Sequence, residues 1–334
     1  GEWMGSEGED GRHLVSHVFA EGTGPDGDGG GWLLVNDFAI SRIPPEDVTA
    51  FGDWRTPALF YYARSDIAAE CPNVAFVNPI TRNVYKSDRS LSSPTLVSKA
   101  PTFVPPSSEE LSNAMLVGID AEFVALTAEE TELMSDGTNL VTRPSRMSLG
   151  RVSVVRSLDS SATVGVKGAE QRLAGTPLID DYIKTPEAVM DYLTRFSGLV
   201  HGDLDPQTSP HHLIPLKRAY MKLRYLVDKG YTFVGHGLHN DFRIINIHVP
   251  KSQIIDTVNL YHLPNRRKIS LRFLIYHLLG HNIQADVHDS IEDARSALLL
   301  YKKYLTLVEE GTFEETLEEI YAAGAKCGWQ VPDA

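Results

Sequence analysis

The most sharply patterned stretch of the chain is residues 115–126, MLVGIDAEFVAL, an apolar run of strand length broken by two acids one residue apart. Such a run predicts a buried strand. Side chains alternate across a strand, so Asp120 and Glu122 fall on one face, about 7 Å apart. Residues 147–155 alternate apolar and polar, which predicts a half-buried strand, and 176–183 predict another. Helical signals follow. Thr185 as N-cap with Pro186 at the first position predicts a helix running to Phe196, and residues 216–229 predict one ending at Gly230. A strand over 231–234, a short helix after Asn240, a strand over 254–257 and helices over 271–279, 287–308 and 313–323 complete the series. Three strands followed by strands interleaved with helices predict an α/β layered fold with a mixed sheet.

The first part of the chain reads differently. Residues 13–19, 32–40 and 58–63 are short β-type runs, and the Gly-rich stretch 22–31 predicts a hairpin with a long tip. Three strands bury too little apolar surface alone, so they read as a partial antiparallel β segment of a larger domain. Residues 86–113 are rich in Ser and Pro, and Pro94, Pro101, Pro105 and Pro106 block helix and ladder alike. This stretch reads as a linker packed over a surface, with a short helical turn starting at 107–110. The expected organisation is an antiparallel segment at 1–66, a linker at 67–113, an α/β domain at 114–325 and a tail at 326–334.

Composition narrows the class. With 42% hydrophobic and 22% charged residues the chain is ordinary for a soluble globular protein, and no apolar run approaches a membrane span. The opening residues do not read as a signal peptide, so a cytosolic or nuclear protein is expected. Cys71 and Cys327 have no paired spacing, which argues against a disulfide framework or a zinc cluster and makes both inert thiols. The net charge of −13 argues at first against a nucleic-acid partner. Its distribution weakens that objection, because residues 1–30 and 309–334 each carry seven acids against one base, leaving the rest near neutral. Within that body Lys217, Arg218, Lys222 and Arg224 read as a solvated helix face, while Arg266, Arg267, Lys268 and Arg272 form a second basic cluster.

The candidate chemistry lies in the acids. Two buried carboxylates on one face repel, and an unpaired carboxylate out of water costs at least several kcal/mol, so the pair points to half of a metal site. Asp241 stands where a strand gives way to a helix, a position that a helix-start acid would also favour. In His288-Asp289-Ser290-Ile291-Glu292-Asp293, Asp289 and Glu292 match a capping box, so His288 precedes the cap and Asp293 takes the fourth helical position. Those two positions normally hold an apolar staple. A histidine and an aspartate there point to a site, with a solvent-facing helix start as the alternative.

Asp-x-Glu on a strand, an Asp at a distant strand-to-helix turn and His-x4-Asp opening a long helix resemble the DEDD family of 3′→5′ exonucleases, histidine subtype, on a ribonuclease H-like fold. The resemblance spans about 114–307. It implies that Asp120, Glu122, Asp241 and Asp293 hold two divalent ions, Mg²⁺ or Mn²⁺, and that His288 is the general base. Four carboxylates offer hard oxygen ligands, and an imidazole can take a proton from water near neutral pH. Phe123, Leu238 and His239 are candidate substrate contacts, Phe123 by base stacking, with a core aromatic as the alternative for it. His236, His239, His277 and His281 could be ligands, but scattered histidines more often satisfy local hydrogen bonds, and Asp256-Thr257 reads as a structural strand end.

The early strands, with Trp32, Asn36-Asp37 and residues 59–62, look like the end of a ubiquitin-specific protease domain. Arg12-His13-Leu14 stands where that family has Gly-His-Tyr, no cysteine precedes it, and Cys71 lies on the wrong side in chain order, so protease activity is not expected. The order of the two parts, with residues 235–242 (GHGLHNDF) and 284–290 (QADVHDS), resembles the catalytic subunits of poly(A)-nuclease (PAN) deadenylase complexes. That resemblance implies cytoplasmic shortening of mRNA poly(A) tails with release of 5′-AMP, together with a regulatory subunit and poly(A)-binding protein. Nothing in the spacing reports adenine preference. The alternatives are a DEDD exonuclease acting on another single-stranded RNA or DNA, and a non-catalytic RNA-binding module of the same fold.

Overall fold

The computed structural model describes residues 15–20, 30–36, 39–50, 80–86, 89–96, 103–112, 114–134, 138–158, 174–185, 187–284 and 288–332. The chain divides into two compact units, Gly1–Phe76 and Val77–Ala334.

In the first unit β1 (Ser16–Ala20), β2 (Gly31–Asn36) and β3 (Ala39–Ile43) form an antiparallel sheet in that order. Phe19 packs edge-on against Trp32 across the first pair, with ring centroids 5.4 Å apart. The single strand expected over 32–40 is instead two strands paired back to back, Asn36 opposite Ala39. Asn36, a turn-favouring residue type, ends the first of the two strands. The expected strand at 58–63, His13 and Cys71 lie outside the described residues.

The second unit is built on a six-stranded mixed sheet. Its strands are β4 (Leu116–Ala125), β7 (Met147–Arg156), β8 (Pro177–Lys184), β9 (Leu213–Pro215), β10 (Thr232–Gly235) and β11 (Ile254–Asp256), in the order β11-β10-β4-β7-β8-β9. β10 and β11 run parallel to β4, whereas β7 is antiparallel to both β4 and β8. A separate hairpin, β5 (Glu130–Leu133) with β6 (Asn139–Arg143), follows β4.

Eight helices are described: α1 (Asn83–Lys86), α2 (Thr194–Ser197), α3 (Leu216–Asp228), α4 (Leu238–Ile245), α5 (Thr257–Leu260), α6 (Leu271–Leu279), α7 (Ser290–Glu309) and α8 (Phe313–Cys327). They cover both faces of the sheet, as strands buried on both sides require. Val117, Ile119 and Val152 pack with Leu223 and Leu226 of α3 and Phe242 of α4, while Val155 and Val234 pack with Ile291, Ala294 and Leu298 of α7.

Two expectations change here. The helix predicted over 185–196 shrinks to α2, because residues 190–191 are sutured to the end of β4. The Met190 N–H donates to the Ala125 carbonyl, and the Ala125 N–H donates to the Asp191 carbonyl. Thr185 caps nothing; its hydroxyl donates to the Glu187 carbonyl. Lys222 likewise leaves its expected solvated face. It is 1% exposed and reaches both oxygens of Asp181, itself fully buried, at 2.9 Å. The linker is held by a buried arginine: Arg156 bonds Glu110 through Nε and Nη2 and also donates to the Val104 and Pro177 carbonyls. No described helix is long and apolar enough to cross a membrane.

Candidate active site

β4 carries the first two acids. The strand is buried along its length except at Leu116, Asp120 and Phe123, which are half-buried, and its pairing with β7 sets Asp120 opposite Ser153 and Glu122 opposite Arg151. A bulge follows immediately after Glu122. Such an extra residue re-aims the neighbouring side chains, and bulges gather beside active sites for that reason.

The third acid comes from α7. Gly118 is what lets that helix lie close to β4, since a Cβ there would stand 2.6 Å from the Ala294 carbonyl oxygen and 2.9 Å from Leu298 Cδ1. Asp293, 3% exposed, is therefore brought onto the strand. One oxygen from each of Asp120, Glu122 and Asp293 lies within 4.8 Å of the others.

Asp289 caps the helix as the sequence predicts, its Oδ1 accepting the N–H groups of Ile291 and Glu292 at 3.0 Å each. Glu292 does not reach back to the cap; its carboxylate accepts the Gln284 N–H instead. His288, one-third exposed, places Nδ1 3.3 Å from Asp293 Oδ2, and Gln284 Nε2 donates to the same oxygen at 2.7 Å.

Asp241 lies in the first turn of α4, which begins at Leu238, earlier than expected. Its oxygens stand outside the group of three, but its charge acts on them. Burial, then Glu122, Asp293 and Asp241, raise the Asp120 carboxyl well above its ordinary value. Glu122 is pushed up to about 8 by burial and then by Asp293. Asp241 is pushed up to about 7 by burial and then by Asp256. Asp120, Glu122 and Asp241, sharing one poorly solvated field, thus resist ionisation.

Arg151 is the residue that sequence reasoning missed. It is 6% exposed, donates from Nε to Asp180 Oδ1 at 2.7 Å and from Nη1 to Asp289 Oδ2 at 2.9 Å, and lies over the Tyr182 ring. Burial opposes its charge, but Asp180, Tyr182 and Asp289 outweigh that and hold its pKa above the ordinary arginine value. It thus joins β7 to the cap of α7 while partly offsetting the negative field at Asp120 and Glu122. The available signal was an arginine in the middle of the apolar run 149–155.

The donor set fits a hard divalent cation. Glu122 Oε1 and Asp293 Oδ1 are buried oxygens with no hydrogen-bond partner. Buried carboxylate oxygens without a partner are costly, and oxygen donors of this kind suit Mg²⁺ or Mn²⁺.

The candidate substrate contacts divide. Leu238 is fully buried, its side chain packed over Gly235, and offers no surface to a ligand. An apolar residue opening a helix faces the core, which corrects the expectation for it. Phe123 is half-buried and packs on the core, and His239 is exposed. His236 satisfies local bonds as expected, with Nδ1 2.9 Å from Thr257 Oγ1 and Nε2 3.0 Å from the Ile269 carbonyl. Asp256 is structural too, accepting the Gly237 and Val258 N–H groups.

The family model for exonucleases, RNase_T, matches residues 117–301, from the first acid-bearing strand into α7. The chain belongs to this exonuclease family. Among curated proteins, the chain is 46% identical over 308 residues to the PAN2–PAN3 deadenylation complex catalytic subunit PAN2 of Gallus gallus, covering 90% of this chain and 25% of that protein. The pan2 protein of Schizosaccharomyces pombe is 43% identical over 324 residues, covering 96% of this chain and 28% of its own length. The chain therefore spans about a quarter of the length of these relatives. Among solved structures, the Saccharomyces cerevisiae Pan2 pseudoubiquitin hydrolase–RNA exonuclease module with AAGGAA RNA matches with TM-score 0.70 at 36% identity, over 95% of this chain and 48% of that one. The Neurospora crassa Pan2 catalytic unit, containing protease and nuclease domains, matches with TM-score 0.68 at 33% identity, over 92% of this chain and 46% of that one.

Proposed function

We propose that this exonuclease shortens poly(A) from its 3′ end and releases 5′-AMP, with Asp120, Glu122, Asp241 and Asp293 holding two divalent ions, Mg²⁺ or Mn²⁺, and His288 as general base. The observation that carries the reading is the convergence of Asp120, Glu122 and Asp293 within 4.8 Å, with buried oxygens of Glu122 and Asp293 left without partners. When bound, a pair of such ions stabilises both the attacking and the leaving oxygen of an in-line displacement at phosphorus.

The protein's own groups do the rest. Asp293 uses Oδ2 to face His288 Nδ1 and to accept from Gln284, which leaves Oδ1 as its ligand oxygen. With Nδ1 turned to Asp293, His288 Nε2 is the atom that takes the proton of the attacking water. The water oxygen bonds to the terminal phosphorus and the bond to the 3′-oxygen of the preceding nucleotide breaks. That oxygen leaves as the 3′-alkoxide and takes a proton from solvent to become the new 3′-hydroxyl.

Base preference draws its support from the relatives, which are deadenylation-complex subunits. On the same reading the protein acts in the cytoplasm on single-stranded poly(A) RNA, with a PAN3-type regulatory subunit and poly(A)-binding protein, and the first unit is a ubiquitin-protease-like segment without protease chemistry. The test is 5′-labelled oligo(A), other homopolymers and DNA, each with Mg²⁺ or chelator. The expected result is a ladder shortening from the 3′ end, fastest on oligo(A) and absent in chelator, and its loss in Asp120→Ala with the circular dichroism spectrum intact. Equal rates on all substrates would remove the adenine preference, and turnover in Asp120→Ala would remove the site assignment.

A further inference from the structure

Beyond the carboxylates, the outer end of β4 opens into a cavity of about 480 Å³ lined by Thr127, Arg143, Ser145, Arg146, Met147 and Arg243, among others. All three arginines are exposed, and no acid lines the space. In a chain of net charge −13, an acid-free cavity with three guanidinium groups selects for an anion. Its floor is fixed. Ser145 Oγ donates to the Thr127 carbonyl at 2.7 Å, the Arg146 N–H donates to Thr127 Oγ1 at 3.0 Å, and the Leu126 N–H donates to the Arg146 carbonyl at 2.8 Å.

Two elements connect this cavity to the carboxylate site. From Glu122 to Thr127, two residues past the end of β4, is five residues, at most roughly 16 Å at strand rise. On α4, Asp241 and Arg243 are two residues apart, so one short helix serves both places. We propose that the cavity holds the phosphodiester backbone of the substrate strand upstream of the scissile bond, with Arg143, Arg146 and Arg243 on its phosphates. This inference rests on the exonuclease reading above.

The present partners of the arginines are compatible with exchange. Arg146 pairs with Glu187, and Arg143 lies 3.5 Å from Glu130, with every side chain in both pairs more than half exposed. Exposed pairs of this kind contribute little, whereas a guanidinium fork bonds a phosphate with two charge-assisted hydrogen bonds. The arrangement makes the grip depend on strand length. A short substrate reaches the carboxylates without entering the cavity, and a longer one fills both.

The test measures binding without turnover, by fluorescence anisotropy in EDTA, for labelled oligo(A) of about twenty nucleotides and for the labelled trinucleotide, across a salt series. Each phosphate contact on a single strand contributes about 0.7 to the salt slope, so Arg143→Ser/Arg146→Ser/Arg243→Ser should flatten the log–log slope for the long strand by about 2. Its Kd should rise roughly tenfold or more, and that of the trinucleotide by less than about threefold. The single variant Arg243→Ser, which breaks neither of the two ion pairs, should flatten the slope by about 0.7 and keeps the test sound where the triple variant melts early. Glu187→Gln should tighten the long strand. An unchanged slope, or equal losses on both lengths, overturns the proposal. Since no cleavage is measured, a chain that binds in this way but never hydrolyses RNA would defeat the catalytic reading alone. Cleavage with an unchanged slope would defeat only the cavity.

Discussion

Gly198 offers a perturbation that touches no proposed ligand yet bears directly on His288. It closes α2 with φ +66°, and a Cβ built there would stand 2.3 Å from the His288 carbonyl oxygen. Contacts of that type below 3.0 Å essentially do not occur, so in Gly198→Ala the His288 backbone or the α2 turn must retreat by at least about 0.7 Å. The neighbour is backbone and cannot rotate away. His288 is also held by the Asp289 cap just beyond it, so the strain falls on the 3.3 Å approach of Nδ1 to Asp293. A misplacement of about 1 Å at a catalytic group can cost on the order of 100-fold in rate, so kcat should drop by roughly 30- to 100-fold. The left-handed backbone adds a stability cost of about 1 kcal/mol or somewhat more.

Gly311→Ala separates the two effects. Gly311 sits between α7 and α8 with φ +71° and nothing within 4 Å of its Cβ position. That variant should lose about the same stability, roughly 1 kcal/mol, and keep its turnover. The assay is kcat and KM on 5′-labelled oligo(A), with thermal melting of both variants beside the parent. A Gly198→Ala protein with full kcat, or with a rate loss matched by Gly311→Ala, would refute the argument that this glycine positions His288.

The remaining expectations follow from the charges. Glu122 and Asp241 have folded values of about 8 and 7, above their ordinary 4.5 and 3.8, so the folded chain binds the extra protons between those limits. Stability from these groups is then complete below about pH 4 and is lost as pH rises through 7 and 8, so Tm in EDTA should fall over that range; a rise would contradict it. Saturating Mg²⁺ should flatten the fall, and its addition near pH 7 should release protons measurable in weak buffer. Glu122→Gln should abolish cleavage yet raise Tm in EDTA at about pH 8, because it removes a buried charge from a repelling set; a lower Tm there would count against the repulsion. Arg151→Met leaves Asp180 buried without its cation and should cost about 3–5 kcal/mol in a denaturant titration, part of it recovered by adding Asp180→Asn. Full stability in the single variant would show that the ion pair holds nothing together.

The parts of the site that could be read from the chain are those fixed by neighbours in sequence. The period of two on β4 puts Asp120 and Glu122 on one face, and the Asp289 cap follows from residue types three apart, so both appear in the fold where the pattern sets them. The errors arise where distant partners decide. A proline-started helix over 185–196 is locally reasonable, but three backbone hydrogen bonds to Ala125 hold that segment against the end of β4, and only Thr194–Ser197 remains helical. Lys222 looks like one more surface cation until Asp181, 41 residues earlier, takes it into the core. Leu238, a candidate substrate contact by sequence, is the first residue of α4 and its side chain is buried in the core.

Arg151 and Gly118 explain why the site needs more than its acids. Three carboxylates within 4.8 Å repel, so something must press α7 onto β4 against that repulsion. Gly118 removes the steric barrier to the approach, and Ile291, Ala294 and Leu298 supply apolar burial against Val155 and Val234. Arg151 fastens the helix cap from the β7 side, and Ser153 meets Ser290 at 2.7 Å beside it. The packing of the helix thus holds the acids closer than their charges alone would allow. A bound cation then relieves a strain that is already in place, instead of having to gather the ligands itself. For that reason cation affinity and fold stability should move together in every variant that loosens α7, including those, such as Arg151→Met, that leave all four acids intact.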